Sequence, residues 1–289
     1  MRELIQAALA KAGDNQEINT FKKISGGDIN EAFQVTTSET SYFIKANQQI
    51  PRHFFQMEAK GLELIRATET IPTPAVYHYD LPENGGPGVM VMEWIHGTRK
   101  DDTGERLGRQ LAAMHQSQQD YYGLDGDTFV GTLPQPNGWY EDWPSYYHEQ
   151  RLLPQMKLAD SQGLLHDGRR KRLEQLFTKL DEWLPKQPGA SLLHGDLWGG
   201  NWMAGPGGQP YLIDPSVLYG DRSFELAFTE LFGGFPEDFY EAYNEVYPLP
   251  DSYADQKEFY QLFYLLVHLN LFGESYGSSV DRVLQHYIG

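Results

Sequence analysis

The chain has 289 residues, 23 of them basic and 40 acidic, which gives a formal net charge of −17 at pH 7, and it has no cysteine. Phosphate backbones and anionic lipid repel such a chain unless basic residues cluster, and the densest basic run is one turn, Gly168-Arg169-Arg170-Lys171-Arg172, so nucleic acid and membrane are excluded as partners. Without cysteine there is no disulfide framework, thiol catalysis or thiolate zinc site, and a reducing compartment, the cytoplasm, is expected.

Met1 to Ala12 has apolar residues at helical spacing with charges between them and reads as a first surface helix, not a targeting segment. Glu17 to Ile24, Glu31 to Thr37 and Ser41 to Ala46 are β-prone runs separated by Ser25-Gly26-Gly27-Asp28-Ile29-Asn30 and by Ser38-Glu39-Thr40, and three antiparallel strands are the simple solution. Arg52 to Ala67 has a helical pattern despite Gly61. Ala75 to Tyr79 and Gly88 to Glu93 complete a five-stranded sheet with one helix. After Trp94-Ile95-His96-Gly97 the periodicity turns helical over Thr103 to Gln118. Gly131 to Gly138 is a Pro/Gly-rich loop, and Asp142 to Ala159, broken by Pro154, and Asp167 to Leu184 are long helices. Two short strands, Trp202-Met203 and Tyr211-Leu212-Ile213, precede a helical stretch from Arg222 to the end. The longest apolar stretches, such as Leu262 to Leu271, fall well short of the roughly 20 residues of a membrane span. The pattern predicts an α+β chain with two lobes: a β-rich lobe over 1–94, a hinge at 95–98 and a larger, mainly helical lobe over 99–289. The cleft between such lobes is a favoured site for small molecules.

The most specific segment is Ser191-Leu192-Leu193-His194-Gly195-Asp196-Leu197-Trp198-Gly199-Gly200-Asn201, with Asp214 closing the apolar run Tyr211-Leu212-Ile213. In phosphoryl transfer one carboxylate orients the attacking hydroxyl and accepts its proton, while an Asn oxygen and a second carboxylate hold magnesium against the nucleotide phosphates. Asp196, Asn201 and Asp214 supply those groups in that order. Singly, each residue is ordinary turn chemistry; a metal-bound nucleophile at Asp196 would want more clustered ligands. Lys45, in the apolar run Tyr42-Phe43-Ile44-Lys45-Ala46, is costly to bury unless it meets an anion such as a nucleotide phosphate; the alternative is an edge-strand lysine in solvent. Glu58, or else Glu63, could hold its ammonium. Ser25-Gly26-Gly27-Asp28 lets backbone N–H groups approach phosphate, although Gly-Gly alone is only a hairpin signal.

These residues resemble the protein-kinase-like fold of the aminoglycoside phosphotransferase class and, within it, the fructosamine-3-kinase (ketosamine kinase) family. Leu193 to Asn201 is close to that family's LHGDLWSGN, Ile213-Asp214-Pro215-Ser216 is similar to its DPA segment, and Tyr219 to Ala227 resembles its YGDRE-x-DLA segment. Gly131-Thr132-Leu133-Pro134-Gln135-Pro136-Asn137, Trp143 and Gln150 to Gln155 are also similar. The resemblance implies Asp196 as catalytic base, Asn201 and Asp214 as Mg2+ ligands, Lys45 on the ATP phosphates with Glu58 as its partner, and the hinge backbone at Met92, Glu93, Trp94 and Ile95 against adenine. Gly199 stands where the family usually has Ser, which could loosen the loop. Glu225 stands where Asp is usual, so its hydrogen bonds to that loop would need one more methylene of room.

The resemblance further implies an ATP-dependent phosphotransferase acting on a sugar hydroxyl, the 3-hydroxyl of ketosamines such as fructosamine or ribulosamine, with protein repair by deglycation as its purpose. The substrate would be a small ketosamine or a glycated amine or protein; the sequence leaves the oligomeric state open, with a monomer favoured. Alternatives are a kinase for another small hydroxylated amine, such as an aminoglycoside or choline, and a nucleotide-binding pseudokinase. Trp198 is a candidate platform for the acceptor sugar or else core filler, and His194 reads as structural. Trp139, Tyr140, Trp143, Tyr146 and Tyr147 either wall the acceptor site or pack between helices. Asp221 and Arg222 brace the helical lobe.

Overall fold

The computed structural model describes residues 1–24, 29–83 and 85–289. Helix α1 (Arg2–Lys11) leads into strands β1 (Thr20–Ile24), β2 (Glu31–Thr36) and β3 (Ser41–Ile50); helix α2 (Phe54–Ala67) precedes β4 (Val76–Tyr79) and β5 (Gly86–Glu93). The five strands form one antiparallel sheet in the order β1-β2-β3-β5-β4, with β3 at its centre. Successive side chains on a strand point to opposite faces, and each face of this sheet has a helix. Val35, Tyr42, Ile44, Ala46, Val89 and Val91 pack on Ile5, Ala8 and Leu9 of α1. Met90 and Met92 pack with Phe55, Ala59 and Leu62 of α2, joined by Phe43. The sheet lobe therefore has two helices, not the one expected. α1 is an amphipathic surface helix that buries Ile5, Ala8 and Leu9 against the sheet and leaves its charged face exposed.

From Glu93 the chain runs without regular structure to α3 (Thr103–His115), and the remainder is mainly helical. Its centre is the helix Tyr253–Phe272, apolar on nearly every side and stacked on the helix Arg222–Leu231 through Phe224, Phe228 and Tyr264. Trp143 and Tyr147 are fully buried against Phe224 and Tyr260, and Tyr146 is buried on Trp143, so this part of the aromatic run is core, whereas Trp139 is exposed and Tyr140 half-buried. Trp143 Nε1 donates to the Tyr260 hydroxyl (3.0 Å), and that hydroxyl donates to Asp221 (2.5 Å), which satisfies a polar chain inside the apolar layer. No helix among the described residues is long and apolar enough to cross a membrane.

Three features depart from the expected pattern. Short strands Gln118–Gln119, Tyr122–Gly123, Trp139–Tyr140, Ala190–Leu193 and Leu218–Gly220 assemble into a second five-stranded sheet, and pieces of two to four residues leave no readable alternation. The Pro/Gly-rich loop contains half of a hairpin, Thr128–Val130 with Leu133–Gln135. The stretch from Asp142 to Ala159 contains a π-helical segment, Tyr147–Leu152, just before Pro154, whose missing N–H relaxes the helical ladder.

α3 crosses the helix Glu237–Val246 at unusually close range. A Cβ on Gly108 would lie 2.1 Å from the Phe239 carbonyl oxygen, and one on Gly104 would lie 2.3 Å from Asp238 Oδ1. Gly108→Ala must push two packed helices apart, and overpacking of this kind costs about 1–3 kcal/mol. Thermal or urea unfolding of the variant checks that loss.

Candidate active site

Lys45 lies on the central strand between Ala32 and Met90, and its parity with Phe43 turns it toward α2. That position overturns the edge-strand alternative: the residue is 6% exposed. Its ammonium donates to Glu58 on α2 (2.6 Å) and to Asp214 (2.6 Å), whereas Glu63 is exposed. Burial would pull the Lys45 pKa down, but Asp214 and Glu58 outweigh it and hold it above the usual lysine value. Burial also raises Glu58 against the opposing pull of Lys45. One ammonium thus serves two carboxylates, and the ensemble keeps room for further positive charge.

The strand Ala190–Leu193 delivers the chain into the loop His194–Asn201, and the hairpin Trp202–Ala204 with Pro210–Leu212 returns it to Asp214. Backbone bonds tie the two segments: Ser216 N donates to His194 O (2.8 Å) and Ile213 N to Asn201 O (3.0 Å). His194 is buried and structural. It accepts the Asp196 amide at Nδ1 (3.3 Å) and donates from Nε2 to the Ile213 carbonyl (2.8 Å), and burial lowers its pKa, so it stays neutral. Asn201 spends its amide nitrogen on Asp196, on the carbonyl (2.7 Å) and on Oδ2 (3.1 Å), which leaves its side-chain oxygen as the donor for a cation. Asp214 adopts φ 58°, a left-handed conformation that Asp tolerates better than most residues and one typical of functional turns. Asp196 is pushed up to about 8 by burial and then by the neighbouring Asp214, with the Asn201 bond opposing both.

Behind the loop, Glu225 fills its Asp-like position by reaching in two directions. It accepts the Gly195 amide (2.7 Å) and His115 Nε2 (2.8 Å), and His115 Nδ1 meets the Tyr243 hydroxyl (2.8 Å). Gly195 has φ +82°, and a Cβ there would strike Ser216 O at 1.9 Å, so glycine is obligatory at that turn. Gly199, where a loosened loop was expected, is instead packed: a Cβ would lie 2.8 Å from both Gly233 O and Gly234 Cα.

Lys45, Glu58, Asp196, Trp198, Asn201 and Asp214 all line one cavity of about 660 Å³. Trp198 is 43% exposed at its rim and is therefore not core filler. Met92, Glu93, Trp94 and Ile95 are not among its lining residues; Met92 is buried in the sheet core, and Trp94 stacks on Phe43, which does line the cavity. Ser25, Gly26, Gly27 and Asp28 lie outside the described residues. The sequence reading missed the far wall, formed by Phe129, Phe232, His268 and Phe272, and also missed His115. These residues are distant in sequence from the loop and carry no local motif; the polar interruption of an apolar helix at His268 was the one available signal.

Two carboxylates and one amide oxygen suit a magnesium ion that takes its remaining ligands from nucleotide phosphates, and among the described residues no three or more His, Asp or Glu gather into a self-sufficient metal site. Residues 1–289, the whole chain, match the family described as fructosamine kinase. A "probable ketoamine kinase" of Lactiplantibacillus plantarum is 40% identical over 275 residues, 94% of this chain and 95% of that one. The crystal structure of a fructosamine-3-kinase, so described with reservation, from Haemophilus somnus superposes with TM-score 0.89 at 30% identity, covering 100% of this chain and 98% of the other. A ternary complex of a thermostable mutant of aminoglycoside phosphotransferase APH(4)-Ia with AMP-PNP and hygromycin B gives TM-score 0.63 at 15% identity over 98% of this chain and 99% of that one, a likeness that shows the fold alone.

Replacing Glu225 by Ala strands a buried amide and a buried His115, and a loss of about 3–5 kcal/mol is expected in chemical denaturation. The Glu225 pKa is lowered: burial opposes the shift, and the His115 bond and its neighbours outweigh it. A depressed carboxylate stabilises the fold above its unfolded pKa of about 4.5 and ceases to do so as pH falls through its folded value. The stability gap between wild type and Glu225→Gln is therefore expected to be constant above about pH 5.5 and to narrow below about pH 4.5.

Proposed function

Because the chain belongs to the fructosamine kinase family, and is accordingly a phosphotransferase, we propose that it moves the γ-phosphoryl group of ATP onto the 3-hydroxyl of ketosamines such as fructosamine or ribulosamine, a reaction suited to protein deglycation. The observation that carries the proposal is the convergence of Lys45, Asp196, Asn201 and Asp214 on one cavity. Lys45, steadied by Glu58, holds the nucleotide phosphates. Asn201 and Asp214 would hold Mg2+, which when bound supplies positive charge against the phosphates. The backbone of Met92 to Ile95 meets adenine.

Asp196 aligns the acceptor hydroxyl and, in its ionised form, takes its proton at the carboxylate. The dominant contribution in a loose transition state is alignment, because little covalent work is left to the protein. Asn201, bonded to Asp196 Oδ2, fixes which oxygen faces the hydroxyl. Trp198 offers an indole face to the sugar and attracts a nearby ammonium.

Asp196→Asn is expected to lower kcat by about 10²–10⁴-fold while nucleotide binding persists. Lys45→Ala is expected to cost on the order of 10²–10³-fold in kcat/KM for ATP. Steady-state assays with a ketosamine acceptor, beside equilibrium nucleotide titration, measure both; full turnover in the Asp196 variant would sink the mechanism.

A further inference from the structure

The hairpin Thr128–Gln135 lies on the helical side of the cleft yet reaches the sheet lobe. Phe129 packs on Phe54 of α2 with ring centroids 5.0 Å apart, and Phe54 in turn meets the fully buried Phe55. Just before the hairpin, a Cβ on Gly126 would lie 3.6 Å from Met57 Cε, so Met57 faces this segment closely, and Lys60 pairs with Asp125 at 2.5 Å. Phe54 and Met57 precede Glu58 by four residues and by one, so these contacts grip the turn of α2 that carries the Lys45 partner.

The base of the hairpin is itself fixed. Asn137 donates to Gly126 O (3.0 Å) and Thr128 Oγ1 (3.3 Å), and its oxygen accepts from the Tyr146 hydroxyl (2.6 Å) and from Arg151 (3.0 Å). Arg151 is fully buried in the π-helical segment, is held by Pro136 O and stacks on Tyr146, with no carboxylate partner among the described residues. A buried guanidinium held only by carbonyls, an amide and rings, with its Nε unpaired among the described residues, is costly, and it serves here to anchor the loop that meets α2.

We infer that this hairpin clamps α2 so that Glu58 keeps its hold on Lys45, and that Phe129 is a positioning residue for nucleotide binding although it stands on the acceptor side. The inference rests on the proposed roles of Lys45 and Asp214. If α2 withdraws, Lys45 is left with Asp214 alone and neutralises the carboxylate that should face the metal. The same hairpin lines the cavity with Thr128 to Thr132, so the acceptor wall and the phosphate-binding pair share one support.

The test is calorimetric titration of the intact protein with a non-hydrolysable ATP analogue and Mg2+, without acceptor, a readout that a mere acceptor wall would not move. Phe129→Ala is expected to weaken binding roughly fivefold or more, the lower range of ordinary site coupling, and Phe129→Leu to restore it to within about twofold. Should Phe129→Ala fail to fold, Asp125→Lys on the exposed rim decides: it sets like charges against α2 and should weaken binding about twofold, with recovery in the swapped pair Lys60→Asp/Asp125→Lys. Wild-type affinity in folded Phe129→Ala, or in Asp125→Lys where that variant decides, overturns the clamp. If Lys45→Ala also binds like wild type, it is the reading of the nucleotide site that fails instead.

Discussion

A single buried ammonium organises this molecule. Lys45 can exist charged in the middle of a five-stranded sheet only because a helix of the same lobe and a loop of the other each bring a carboxylate to 2.6 Å. Burying an unpaired charge costs several kcal/mol, so the positions of β3, α2 and the turn at Asp214 are mutually constrained. Strand parity sends Lys45 to the α2 face, Glu58 meets it there, and the left-handed backbone at Asp214 belongs to the turn that closes the set. The contact also joins the lobes, so the site exists only when they are assembled.

The rest of the helical lobe holds still what Lys45 faces. The loop His194–Asn201 is bonded internally through His194 and Asn201 and from behind through Glu225, His115 and Tyr243. Fully satisfied buried networks of this kind are rigid, and in the proposed reaction a rigid loop would keep Asp196 aligned without a reorganisation cost. The net charge of −17 takes no part in holding a polyanionic nucleotide; local groups must do so. It is compatible with a cationic amine acceptor, which an acidic surface attracts at low salt.

Much of this was legible in the residues, for identifiable reasons. Alternation along β2 and β3 and the helical spacing of α2 are local signals, and the ordered set His194, Asp196, Asn201 and Asp214 is compact enough to stand out. Whether Lys45 was on an edge or at the centre was not legible, because its second neighbour β5 comes some 40 residues later. The role of α1 was hidden for the same reason: amphipathicity shows that a face is buried but not against what. Strands such as Leu218–Gly220 are too short to alternate, and His115 with Glu225 pair across 110 positions without a motif. The hairpin at Thr128 was masked by Gly131 and Pro134, which read as loop although they sit at its turn and on its returning strand, and by Pro136 just after it.

The central claim concerns which bond is made, and product analysis tests it most directly. The protein would be incubated with Mg-ATP and a panel of a fructosamine, a ribulosamine, an aminoglycoside and choline, and the products assigned by phosphorus and carbon NMR. The account predicts phosphate on the 3-hydroxyl of the ketosamines, with stoichiometric ADP, and no comparable product from the other amines. Phosphate at another hydroxyl, preferential phosphorylation of the aminoglycoside or choline, or ADP released without any phosphorylated ketosamine would contradict it.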